Sequence, residues 1–143
     1  MTARSRKLRI LLVEDDIRRQ KEIEGWMPAD VHLVWCQNGE AAFGVINRAR
    51  PGEYAAVMLD NDLDKSPYVV VAKKKTGADV ARLMAEKMPR DTPVLVHSMS
   101  VDREEIMNRL RAEEFPVTQL PYVDLTREKL NAGVDEVRED HEE

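Results

Sequence analysis

The sequence predicts a doubly wound α/β domain with a five-stranded parallel sheet, on three grounds. Five short apolar runs recur along the chain, at Leu8–Val13, Val31–Cys36, Tyr54–Leu59, Pro93–His97 and Val117–Leu120. Each is followed by a stretch whose apolar residues return at helical spacing. The runs are close to continuous rather than alternating, the pattern expected of strands covered on both faces. Strand–helix alternation of this kind implies right-handed crossovers, with a ligand crevice beyond the strand C-termini.

The helices follow in order. Ile17 to Met27 supplies the first. Ala41, Ala42, Val45, Ile46 and Ala49 form the apolar stripe of the second, with Asn38 as its N-cap. Val80, Leu83, Met84 and Met88 mark the third, after Thr76. Ile106 and Leu110 mark the fourth, where Asp102 and Glu105 have the spacing of a capping box. Leu125 to Val137 is the fifth, with Leu130, Val134 and Val137 as its stripe. The connection from 61 to 75 is longer than the usual 2–6 residues. It includes Tyr68–Val71, a possible extra strand, and the run Lys73, Lys74, Lys75, which reads as solvated surface.

Composition bounds the function classes. A chain of 143 residues with 43% hydrophobic residues fits one folded domain, expected to span 1–143 with a core at 8–123 and a C-terminal helix and acidic tail at 124–143. Trp26 and Trp35 are expected in the core. A single cysteine, Cys36, excludes an internal disulfide and fits a reducing compartment. No stretch approaches the roughly 20 apolar residues of a membrane span, and the short run Ile10–Val13 does not make a signal sequence, so a cytoplasmic protein is expected. The net charge is −5, with Arg4, Arg6, Lys7 and Arg9 at the start and acidic residues from Asp135 onward. Both ends read as solvated tails. A basic end is not the basic face that nucleic-acid binding requires.

The strand ends carry the chemistry. The first run ends in Glu14-Asp15-Asp16, the third in Asp60-Asn61-Asp62 with Asp64 behind, and the fourth in His97-Ser98. If the first and third strands are neighbours, Asp15 and Asp60 project into one crevice together. Two carboxylates about 4 Å apart repel by about 4 kcal/mol at an effective dielectric of 20, which favours protonation or a bound cation. An oxygen-rich donor set points to a hard ion, Mg²⁺ before Mn²⁺ or Ca²⁺. The alternative is that such acids cap helices and face water. His97 is equally readable as an acid–base group or as a hydrogen-bonded core residue.

Taken in order, RILLVEDD, NGEAAF, VMLDNDL, TGADVARLM and PVLVHS resemble the receiver domains of two-component response regulators, from residue 8 to about 123. The resemblance implies a flavodoxin-like (βα)5 fold with strand order 2-1-3-4-5. It implies Glu14 and Asp15 as the acid pair for Mg²⁺ (or Mn²⁺), Asp60 as phospho-acceptor, the Asp62 carbonyl as a further ligand, and Ser98 at the phosphoryl group. Three features depart from it. Leu120 fills the lysine position before Pro121, Val117 lies where an aromatic switch residue is usual, and the 61–75 insertion is foreign to ordinary receivers.

A narrower resemblance is to the cyclic-phosphate processing receiver domains, through Asp60-x-Asp62-Leu63, Thr76-Gly77 and His97-Ser98-Met99, with Asn61 and Ser100 departing from that pattern. Two functions follow as expectations. The first is a stand-alone atypical response-regulator receiver in phosphorelay signal transduction, a phosphoprotein taking phosphate on Asp60. Its partners would be a histidine kinase or other phosphodonor and a downstream protein, with no DNA-binding output domain and no membrane. The second is a metal-dependent phosphoesterase acting on cyclic phosphates of RNA or nucleotides through His97, Ser98 and the acids. A degenerate pseudo-receiver acting by protein contact is a variant of the first.

Overall fold

The computed structural model describes residues 8–60, 77–97, 103–120 and 125–142. Strands and helices alternate as β1 (Leu8–Val13), α1 (Ile17–Trp26), β2 (Val31–Cys36), α2 (Gly39–Arg48), β3 (Ala56–Leu59), α3 (Gly77–Lys87), β4 (Val94–Val96), α4 (Arg103–Ala112), β5 (Val117–Gln119) and α5 (Arg127–Glu142). The strands form one parallel sheet in the order β2-β1-β3-β4-β5, the doubly wound receiver topology.

Pleat alternation divides the core in two. Leu11, Val13, Val57, Leu59, Val94 and Val96 point to one face, where Ala42 and Ile46 of α2, Val80 and Met84 of α3, and Ile106 and Leu110 of α4 cover them. Ile10, Leu12, Ala56, Met58 and Leu95 point to the other, beneath Ile23 of α1 and Leu130, Val134 and Val137 of α5. Met84, Met88 and Met107 are buried filler.

The helix starts have identifiable causes. Asp16 caps α1, its side chain accepting from the Arg18 and Arg19 amides. Asn38 caps α2, its Oδ1 accepting from Ala41 N–H at 2.8 Å.

Several expectations need correction. Only the inner strands are covered on both faces; β2 is half-exposed along most of its length, and Thr118 and Gln119 of β5 face solvent, because both strands lie at sheet edges. Trp26 and Trp35 are half-buried at the margin of the second core. Strands β3, β4 and β5 are shorter than their apolar runs. The fifth helix begins at Arg127 and continues through the acidic stretch to Glu142, so that stretch is not a free tail: Val137 is buried and Arg138 pairs with Asp30, just before β2. Arg9 is likewise engaged, with Glu53 at 3.1 Å and over the Tyr54 ring at 5.3 Å. The possible strand at Tyr68–Val71, the lysines 73–75, Thr76, Asp102, and the basic residues 4, 6 and 7 lie outside the described residues.

Candidate active site at the strand C-termini

The register places the site. Leu12 pairs with Met58, and Met58 with Leu95. Two residues further along each strand, on the same side of the pleat, are Glu14, Asp60 and His97. The ladder continues into this row, with Asp60 N–H bonded to the Val13 carbonyl and His97 N–H to the Leu59 carbonyl, each at 3.2 Å. Each of the three offers a ligand atom within 4.8 Å of the others, and all three residues are buried: Glu14 and His97 are 0% exposed and Asp60 1%.

Glu14 and His97 form the tightest contact, Oε1 to Nε2 at 2.9 Å. Glu14 Oε2 accepts from the Asp16 N–H at 3.0 Å. An ionised carboxylate only accepts, so the imidazole donates through Nε2, and a neutral ring then carries its lone pair on Nδ1. Nδ1 is buried and has no hydrogen-bond partner among the described residues. The acid run after β1 is thus divided: Glu14 enters the site, Asp16 caps α1, and Asp15, the residue expected beside Asp60, is half-buried between them and outside the trio. Asp62 and Ser98 lie outside the described residues.

Leu120 extends the row by one strand. Its N–H bonds to the Val96 carbonyl at 2.8 Å, and its side chain packs into the core under α5, where a Cβ on Gly133 would sit 3.4 Å from its Cδ1. The cation that receivers place here is replaced by an apolar side chain turned into the core.

The trio is chemically suited to a divalent ion. Two buried carboxylates with ligand oxygens this close repel by about 3–4 kcal/mol at an effective dielectric of 20, and a cation removes that cost. Each Glu14 oxygen retains a second lone pair beyond its hydrogen bond, and the single lone pair on Nδ1 of His97 can take either a metal ion or a proton. The carboxylate oxygens suit Mg²⁺ or Mn²⁺.

A family model described as the cyclic-phosphate processing receiver domain matches residues 10–112. The chain belongs to that family. Solved structures of low identity share its fold. The receiver domain of the sensor histidine kinase PA1611 from Pseudomonas aeruginosa PAO1 is 21% identical with TM-score 0.66, over 91% of this chain and 96% of that one, and holds a magnesium ion in its active-site cleft. The response regulator domain of Thermotoga maritima CheB is 16% identical with TM-score 0.66, over 96% and 98%. A structure described as adenylate cyclase from Rhodopirellula baltica is 18% identical with TM-score 0.68, over 94% and 90%. No curated protein matches the chain.

Membership fits the row at the strand ends, where this cyclic-phosphate processing receiver domain sets a histidine beside the strand-end acids. Sequence reasoning named all three members of the trio but gave Trp35 no part in the site. Its indole N–H donates to the Glu14 carbonyl at 2.7 Å. Nothing in the spacing of Trp35 signals this; it follows from the β1–β2 register. Among the described residues, no helix is long and apolar enough to cross a membrane.

Proposed function

We propose that this receiver-type domain is a metal-dependent phosphoesterase that opens cyclic phosphates on nucleotides or RNA ends, with His97 as its acid–base group. The observation that carries this reading is the buried His97–Glu14 pair at 2.9 Å, beside Asp60. Transfer of a phosphoryl group to an aspartate needs no such imidazole, whereas hydrolysis of a cyclic ester needs a proton taken from water and one delivered to the departing ribose oxygen. Glu14 fixes the ring orientation through Nε2–H and stabilises its cationic form, leaving Nδ1 to receive the water proton. Water then adds to phosphorus, one P–O bond breaks, and the proton returns to the released oxygen, giving a phosphomonoester. Glu14 and Asp60, with the Asp62 carbonyl and Asp15 as further candidates, would hold Mg²⁺ or Mn²⁺. When bound, the ion neutralises charge on the phosphoryl oxygens.

The test is hydrolysis of a 2′,3′-cyclic mononucleotide and of a cyclic-phosphate-ended RNA with Mn²⁺ or Mg²⁺. His97→Gln, whose amide can still donate to Glu14, should lose about 10²–10⁴-fold in rate. Wild-type protein that turns over none of these substrates would end this reading for them.

The phosphorelay reading keeps one supporting observation. Asp60 directly follows β3 in the centre of the row, where a receiver carries its phospho-acceptor. It would take phosphate from a histidine kinase or other donor and signal to a protein partner, with Ser98 contacting the phosphoryl group. With Leu120 in the lysine position, an acyl phosphate on Asp60 should form slowly and be poorly retained. Intact mass after treatment with a small phosphodonor and Mg²⁺ measures this, and near-complete stable modification would favour signalling.

A further inference from the structure

Glu14 is held at four points, and one of its holders comes from outside the crevice. Its N–H donates to the Cys36 carbonyl at 3.1 Å, its Oε2 accepts from Asp16 N–H, and its Oε1 meets His97. Its carbonyl accepts from the indole N–H of Trp35 at 2.7 Å. Trp35 lies on the edge strand β2, opposite Leu12, and its half-buried ring packs on the core beneath α1 and α5. The indole therefore reaches forward along the neighbouring strand to the peptide that follows Glu14, beyond the last β1–β2 ladder pair at Val13 and Cys36. At this point the parallel ladder no longer supplies a donor, and the side chain does.

We infer that Trp35 is a positioning residue. Its indole N–H pins the Glu14–Asp15 peptide plane, and the fixed plane aims the Glu14 carboxylate at His97. A carbonyl that loses its donor is free to rotate its peptide toward water, and rotation at that peptide swings the Glu14 side chain relative to β4. Supporting groups of this kind, behind the residues that do the chemistry, set the orientation of those residues. The inference rests on Glu14 and His97 as the working pair of the proposed function, but its central readout needs neither metal nor turnover.

The experiment compares wild type, Trp35→Phe and Trp26→Phe, following the ring nitrogens of His97 by ¹⁵N NMR in metal-free protein. Trp26 packs on the same core, so its variant reports the loss of aromatic packing without the Glu14 bond. Wild type and Trp26→Phe should show one ordered ring with its Nε2–H held by Glu14. Trp35→Phe should show a shifted, averaged ring and about 3- to 10-fold weaker Mn²⁺ binding, the scale of one hydrogen bond. A Trp35→Phe protein with wild-type ring signals and metal affinity overturns the inference. If the ring changes but wild type hydrolyses no cyclic phosphate, the proposed function falls and the positioning role stands. Should Trp35→Phe fail to fold, the indole proton of wild type decides. Exchange slowed about tenfold or more relative to free indole supports the bond, and exchange at the free-indole rate overturns it.

Discussion

Cys36 ends β2 with 2% of its surface exposed, and burial pushes its thiol up to about 11. Only the thiolate reacts readily, so at neutral pH the native protein should resist iodoacetamide and label at the rate of its opening reactions. Labelling of the folded protein as fast as a free thiol would contradict that environment. His97 is the opposite case, a polar group whose burial depends on its partner. Removing it by His97→Ala leaves the Glu14 carboxylate without its imidazole in the core. Breaking a buried pair from one side costs on the order of 3–5 kcal/mol, measurable as a lower denaturant midpoint. Equal stability of His97→Ala and wild type would mean that water or Asp16 alone satisfies Glu14.

At the scale of elements, α5 gives two tests. Gly133 is buried in the middle of this helix, and a methyl group there would meet Leu120 Cδ1 at 3.4 Å and Leu95 Cδ1 at 3.9 Å, ordinary contact distances. Gly133→Ala should therefore stabilise the protein by about 0.5–1 kcal/mol, the helix-propensity difference, seen as a higher melting temperature. A loss of stability would show that β5 and α5 cannot separate by the few tenths of an ångström that a tight contact needs. The second test concerns the ion pair that fastens α5 to the start of β2. Hydrogen bonds from Arg138 hold the Asp30 carboxyl below its ordinary value of 3.8. A carboxyl lowered by folding stabilises the native state above its unfolded pKa and loses that contribution as pH falls through its folded value. The stability gap between wild type and Arg138→Met should thus be present at pH 6 and close below about pH 3.8, where the unfolded carboxyl also protonates. The gap is expected to be small, because Asp30 is exposed and surface pairs are weak. A gap of the same size at pH 6 and well below pH 3.8 would assign the effect to packing of the Arg138 stem.

For the molecule as a whole, binding of Mg²⁺ or Mn²⁺ to the native trio should raise the melting temperature, by about 2.7 kcal/mol of stability at 100 times the dissociation constant. Asp60→Ala should remove that gain while leaving the sheet intact; an Asp60→Ala protein that still responds would place the ion elsewhere. The fold was legible because β1, β3 and β4 are near-continuous apolar runs, and only a parallel sheet buried on both faces calls for them. The edges were less legible, since the apolar residues of β2 and β5 read the same whether one face or two is covered. Glu14, Asp60 and His97 were each legible as strand-end candidates, but their grouping was not, nor was the division of labour within Glu14-Asp15-Asp16. Which acid enters the crevice depends on pleat parity at the last ladder pair, and a one-residue shift of strand end would exchange Glu14 with Asp15. Trp35 was hidden for a related reason. Its bond to Glu14 crosses between two strands, so only their register reveals it.

The Glu14–His97 bond joins residues 83 positions apart. During synthesis at about 5–20 residues per second, several seconds separate the appearance of the carboxylate from that of its imidazole. In that interval β1, β2 and β3 can already pair, while β3 presents an open edge and the strand-end acids stand without their partner from β4. Assembly of the site therefore coincides with the docking of β4 on β3, before β5 completes the sheet, and a nascent chain truncated before β4 combines an unmatched charge with an unpaired strand. Arrest of translation in the segment before β4 would expose such a species for longest.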